Sequence, residues 1–347
     1  MNIKKYRKAI LEGIFLIVVF LLTIHSVFYG EDLSELLVTI KSAQKGFLAV
    51  GICMVVLFIY SESAIIHYMM NSLKIKLGRG TCFLFSSVGF FFSCITPSAS
   101  GGQPMQIFYM KKKDIPIPVA TLVLMIVTIT YKLVLVLVGI GMMIFGRSFI
   151  NSYMAGMQWV FYLGLVLNVI SVVVMLLLVF SPKLATKLAA GTLKLLFKFR
   201  ILKHKPKTIE KFENSMELYG QVANYLKDNF KIIINVLIIT MIQRFLLFAT
   251  TYFVYRAMGL EGTSAFVIIL LQASISVAVD MLPLPGGMGI TEKLFSIVFL
   301  PIFGARLLLP GMVLSRGISY YVQLLLSAVM TLIAQLTIGR KKSKELS

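Results

Sequence analysis

The sequence predicts an all-α, polytopic membrane helix bundle of about six full spans plus two oppositely oriented re-entrant broken-helix hairpins, an inverted repeat. Three observations carry this. The chain of 347 residues is 58% hydrophobic with a mean hydropathy of +0.90, an excess that a soluble core cannot absorb. Its basic residues cluster between the apolar runs. Two of those runs are interrupted at similar places by proline followed by paired glycines.

Lys4, Lys5, Arg7 and Lys8 precede the apolar run 9–29. The opening resembles a signal peptide, but the run is long and no small-x-small cleavage site follows. It reads as an uncleaved first span with the N-terminus inside. Glu31, Asp32 and Glu35 suit an outer loop, and a second span, 47–70, returns to Lys74, Lys76 and Arg79. Residues 81–95 are apolar but too short to cross. They run into Thr96-Pro97-Ser98-Ala99-Ser100-Gly101-Gly102-Gln103-Pro104, with Lys111, Lys112 and Lys113 beyond. Both flanks are basic, so 81–116 is expected to enter and leave on the inner side. The run 117–145 crosses outward, and 159–180 crosses back with Trp159 near the outer interface.

The polar insertion 181–230 comes next. Lys183, Lys187, Lys194 and Lys198 fall on one helical face beside Leu184, Leu188, Leu195 and Phe199. Such a helix suits the anionic inner leaflet. A second helical stripe follows: Phe212, Met216, Tyr219, Val222 and Leu226. The run 231–258 crosses outward. Residues 263–304, with few flanking charges, are expected to dip in from outside around Pro283-Leu284-Pro285-Gly286-Gly287-Met288-Gly289-Ile290-Thr291-Glu292. Finally 307–338 crosses inward to Arg340, Lys341, Lys342 and Lys344. Most of the 34 Lys and Arg then lie inside, so the whole chain, 1–347, reads as one domain of a multi-pass cell-membrane protein with both termini cytoplasmic. The net charge of +20 is thereby explained by topology, and nucleic acid is not an expected partner.

Proline lacks a backbone N–H and glycine has the largest backbone entropy to lose, so neither interrupted stretch can continue a helix. Broken backbone at membrane depth is tolerated where protein buries it or where it lines a wet cavity. Pro97, Gly101, Gly102 and Gln103 in the first stretch, and Pro285, Gly286, Gly287, Gly289 and Glu292 in the second, are therefore the candidate substrate-binding residues. Half-helix ends there would expose N–H groups able to hold an anion such as a phosphate. The competing reading is two kinked spans whose glycines let helices pack closely. Ser98, Ser100, Gln106 and Thr291 read as headgroup contacts.

Lys132, Arg244 and Arg316 lie within spans, with Glu62, Asp280 and Glu292 as candidate partners. Each costs roughly 2.5–3.5 kcal/mol at the bilayer centre, so all six should face inward. They are either structural ion pairs or bases that grip a lipid phosphate, with Glu292 as counter-charge or proton-coupled gate. Cys53, Cys82 and Cys94 form no Cys-x-x-Cys, and no metal-ligand spacing, Walker loop or Ser-His-Asp or Cys-His constellation is present. No catalytic residue, cofactor or metal is expected.

The two interrupted motifs resemble those of the lysylphosphatidylglycerol synthase transmembrane-domain family, and the likeness runs from about Lys4 to Arg340. The resemblance implies a flippase-like protein that moves phospholipid, such as lysyl-phosphatidylglycerol or another lipid-linked headgroup, across the bacterial cytoplasmic membrane. In two-part members a C-terminal cytosolic domain transfers lysine from lysyl-tRNA to phosphatidylglycerol. The product confers resistance to cationic antimicrobial peptides. That domain is not expected here, where the sequence ends at Ser347. A phosphatidylglycerol lysyltransferase activity, with a separate soluble transferase as partner, stands as the alternative. A homo-oligomer is compatible with either.

Overall fold

Apolar stretches of this length satisfy their backbone polar groups internally only as helices or closed barrels. The computed structural model describes residues 33–154, 156–198, 206–284 and 287–338, which are helical and contain no strand. The expected span at 9–29, and Pro285 and Gly286, lie outside the described residues.

The helices are α1 (Leu33–Ser42), α2 (Lys45–Ser72), α3 (Arg79–Ile95), α4 (Gly102–Lys111), α5 (Ile117–Phe145), α6 (Arg147–Tyr153) and α7 (Gln158–Phe180). They continue with α8 (Pro182–Lys198), α9 (Pro206–Asp228), α10 (Phe230–Ala257), α11 (Ala265–Val279), α12 (Ile290–Arg316) and α13 (Gln323–Thr337). Among the described residues, five stretches are long and apolar enough to cross a membrane: α2, α5, α7, α10 and the run Ile290–Thr337 that joins α12 to α13. Two shorter apolar helices, α3 and α11, are not. The ends follow local chemistry. Pro118 sits in the first turn of α5, where its missing N–H is an orphan anyway. The Ser264 side chain caps α11 by accepting from the Val267 N–H.

α2 and α10 lie side by side and antiparallel. At one end the Gln44 N–H donates to the Ala257 carbonyl at 2.8 Å. At the other, the Tyr225 hydroxyl, just before α10, donates to the Ser72 carbonyl at 2.9 Å. Two apolar clusters mark these ends. The Ser72 end gathers Ile65 and Met69 of α2, Cys82 and Phe85 of α3, Tyr109 and Met110 of α4, the first half of α5, and Tyr219, Val222 and Leu226 of α9. The Ala257 end gathers Val55 of α2, Tyr255 of α10, Ile268 and Leu271 of α11, and Phe295, Phe299 and Phe303 of α12. The chain thus leaves the Ser72 end along α3 and comes back to it along α4. It leaves the Ala257 end along α11 and comes back to it along the first half of α12.

Both reversals have a backbone reason. Between α3 and α4, Pro97–Ala99 forms a single 3₁₀ turn in which Ser98 (φ 50°) and Ala99 (φ 54°) adopt the left-handed conformation. Such strain costs roughly 1–3 kcal/mol per residue and persists only where the surroundings impose it. Gly102 then lies so close to α3 that a Cβ there would come within 2.7 Å of the Gly89 carbonyl. α12 is itself divided: Gly304 has φ 69° and ψ 163°, a region open to glycine alone, and splits it into 290–303 and 305–316. This break falls between the stretches 263–304 and 307–338 read from the sequence. A π-helical turn, Gly317–Val322, joins α12 to α13.

Candidate functional site

The tips of the two reversals meet where the Ser98 hydroxyl donates to the Leu282 carbonyl at 3.3 Å. A cavity of about 520 Å³ surrounds the junction, within the ~300–1,000 Å³ typical of small-ligand sites. The first reversal contributes Ser98, Ala99, Ser100 and Gln103 to its wall, and the second contributes Asp280, Met281, Leu284, Gly287 and Thr291. Glu62 of α2, Tyr131 and Lys132 of α5, Gln243 and Arg244 of α10, and Arg316 and Tyr320 complete it.

Five of the six charges expected at depth, Glu62, Lys132, Arg244, Asp280 and Arg316, therefore reach one cavity. Lys132 pairs with Asp280 at 2.6 Å. Its ammonium also donates to Asn168 Oδ1 at 3.4 Å and to the Met281 sulfur at 2.8 Å. Asn168 is held in turn by the Gly164 and Val277 carbonyls, so α5, α7 and the end of α11 are fastened together at this point. Arg316 pairs with Glu292 at 2.9 Å. The other oxygen of Glu292 accepts the Gly289 N–H at 2.6 Å, so Glu292 fixes the start of α12 and sits behind the cavity wall.

Glu62 and Arg244 form no such pair among the described residues. Glu62 Oε1 accepts from the Gln106 amide of α4 at 2.9 Å. The Arg244 guanidinium lies flat over the Tyr131 ring, 3.5 Å from its centroid, with Phe58 at 5.1 Å. Its buried Nε has no hydrogen-bond acceptor among the described residues. A guanidinium presents its donors in a planar fork suited to phosphate and carboxylate, and stacking holds that fork in place. Of the three bases on the wall, Arg244 is thus the one with no ion pair to a carboxylate among the described residues.

The glycines do different work from that expected. Gly101 donates its N–H to the Thr96 hydroxyl at 2.9 Å, Gly287 to the Leu284 carbonyl at 3.1 Å, and Gly289 to Glu292. These three N–H groups close their own turns. Side-chain cations on the wall are further donors. Pro97, Gly101 and Gly102 are not on the cavity wall, and Gly102 serves the close packing of α4 on α3. Gln103 is on the wall, tied to α5 through the Thr128 hydroxyl and the Leu124 carbonyl. Gln106 and Thr291 reach the wall as well. Sequence reasoning missed Asn168, Tyr131, Gln243 and Gln272. An asparagine inside the otherwise apolar stretch Val166-Leu167-Asn168-Val169-Ile170 was a readable signal.

Among curated proteins no match to this chain is found. A family model described as the lysylphosphatidylglycerol synthase TM region matches residues 10–327, which span both reversals and every charged residue of the cavity. The chain belongs to this lysylphosphatidylglycerol synthase transmembrane-region family.

Proposed function

We propose that this membrane protein moves phospholipid between the two leaflets, the headgroup passing through the central cavity while the acyl chains stay in the bilayer. The observation that carries the reading is the stacked Arg244 guanidinium, its Nε without an acceptor among the described residues, beside a polar cavity where both helix reversals end. A lipid phosphate supplies what that fork lacks. Hydrogen bonds to a charged group contribute about 1.5–3 kcal/mol, enough to favour entry of an anionic headgroup without trapping it. The two ion pairs, Lys132–Asp280 and Arg316–Glu292, hold the second reversal on both sides of its break while cargo passes.

Reconstitution into liposomes containing tail-labelled phosphatidylglycerol or lysyl-phosphatidylglycerol tests this. Probe should become accessible to an outer-leaflet quencher faster than in empty vesicles. Arg244→Gln should slow that exposure by roughly 10- to 100-fold, the loss of one charged hydrogen bond, with insertion unchanged. Rates equal to empty vesicles for both lipids would overturn the reading. The family description contains the word synthase, and this favours lysine transfer to phosphatidylglycerol as a second reading. New lysyl-lipid in extracts of a host lacking any synthase would support it.

A further inference from the structure

The insertion between α7 and α10 is not used by the cavity, and its first helix has a divided surface. Residues Ala185, Ala189 and Leu193 of α8 are half-buried against the bundle, α8 resting on α7 and α9. The opposite face is exposed along its whole length. Four lysines, Lys183, Lys187, Lys194 and Lys198, run along one edge of it. Beside them stand Leu184, Leu188 and Leu195, 38%, 55% and 54% exposed. No acidic residue occurs in α8.

Position adds to composition. α7, a stretch long and apolar enough to cross a membrane, ends at Phe180, and α8 starts at Pro182. The Leu184 N–H donates to the Ser181 carbonyl, so the chain turns from one helix into the next without a spacer. α8 therefore starts at the level where α7 leaves the hydrocarbon. α9 fixes that level: the Tyr219 hydroxyl donates to the Leu178 carbonyl at 3.0 Å and Tyr225 donates to Ser72. Burial pushes the Tyr219 hydroxyl above its ordinary pKa, which keeps it a donor.

We infer that α8 lies on the bilayer surface with Leu184, Leu188 and Leu195 among the acyl chains and its four lysines on the phosphates of anionic phospholipids in that leaflet. Leucine next to lysine is the composition of an interfacial helix, since the long lysine stem reaches the headgroups while its neighbour enters the hydrocarbon. A soluble acidic partner would match the lysines but would leave the leucines facing water.

The test uses the full chain in nanodiscs. Cys53, the exposed cysteine, is replaced by alanine, and Leu188→Cys carries an environment-sensitive fluorophore. In discs containing phosphatidylglycerol, emission should shift to the blue and be quenched by brominated lipid. Discs of phosphatidylcholine alone, or ~1 M salt with its screening length of about 3 Å, should reverse the shift. Replacing all four lysines by glutamine should lower the ratio of docked to undocked helix on the order of 10²- to 10³-fold. These sites are exposed, so folding is not at stake, and elution as the same monodisperse peak confirms it. Water-like emission in every disc overturns the inference. So does a shift of equal size without anionic lipid, or one that follows the number of protein copies per disc.

Discussion

Lys132 gathers three of the cavity's internal bonds, to Asp280, Asn168 and Met281. Removing one member of a buried pair leaves the other charge uncompensated. Lys132→Met should therefore lower stability by roughly 3–5 kcal/mol. Adding Asp280→Asn should restore part of this, with a coupling of about 0.5–3 kcal/mol. Denaturant titration of the purified protein and its three variants in detergent measures it, and additive effects would mean the pair contributes nothing. The cost of burying charge told from sequence that Glu62, Lys132, Arg244, Asp280, Glu292 and Arg316 face inward. It did not tell who pairs with whom. Lys132 and Asp280 are 148 positions apart, and Glu62 bonds to a neutral glutamine from the first reversal. Partner choice is fixed by which helices cross, and no local pattern encodes that.

Helix interruptions were legible for a stereochemical reason. Proline cannot donate and glycine weakens a helix wherever it falls, so Pro97, Gly101 and Gly102 announced a break between α3 and α4 before any packing was known. Their use was not legible, because an N–H that binds a ligand and one that closes a turn have the same sequence. Gly304 was less conspicuous, a lone glycine between Phe303 and Ala305, yet its φ of 69° divides α12. Open space surrounds the position, so a side chain there meets no atom and only the backbone is strained. Gly304→Ala should destabilise by roughly 1–3 kcal/mol through that strain alone, measured as a lowered melting temperature in detergent. An unchanged or raised temperature would show that α12 straightens without loss.

Across the whole molecule, apolar lengths gave the positions of the spans among the described residues, because the bilayer imposes a length. The antiparallel pairing of α2 with α10 has no such signature and rests on the bonds at their two ends. Those bonds make a topological prediction. In cells, with Cys53 replaced, Lys76→Cys and Lys227→Cys should react with a membrane-impermeant maleimide only after permeabilisation, and Glu261→Cys without it. All three positions are exposed. Labelling of all three from one side would contradict both the charge reading and the helix arrangement.

The charges around the cavity have one more consequence. Lys132, Arg244 and Arg316 are matched in number by Glu62, Asp280 and Glu292, so these six side chains are formally neutral together. On the transport proposed above, whatever net charge crosses with a headgroup would be the cargo's own. A singly anionic lipid would experience the membrane voltage at about 2.3 kcal/mol per 100 mV, whereas a lipid of zero net charge would cross without electrical work. The same passage would thus be electrogenic for one lipid and silent for another, with no change in the protein.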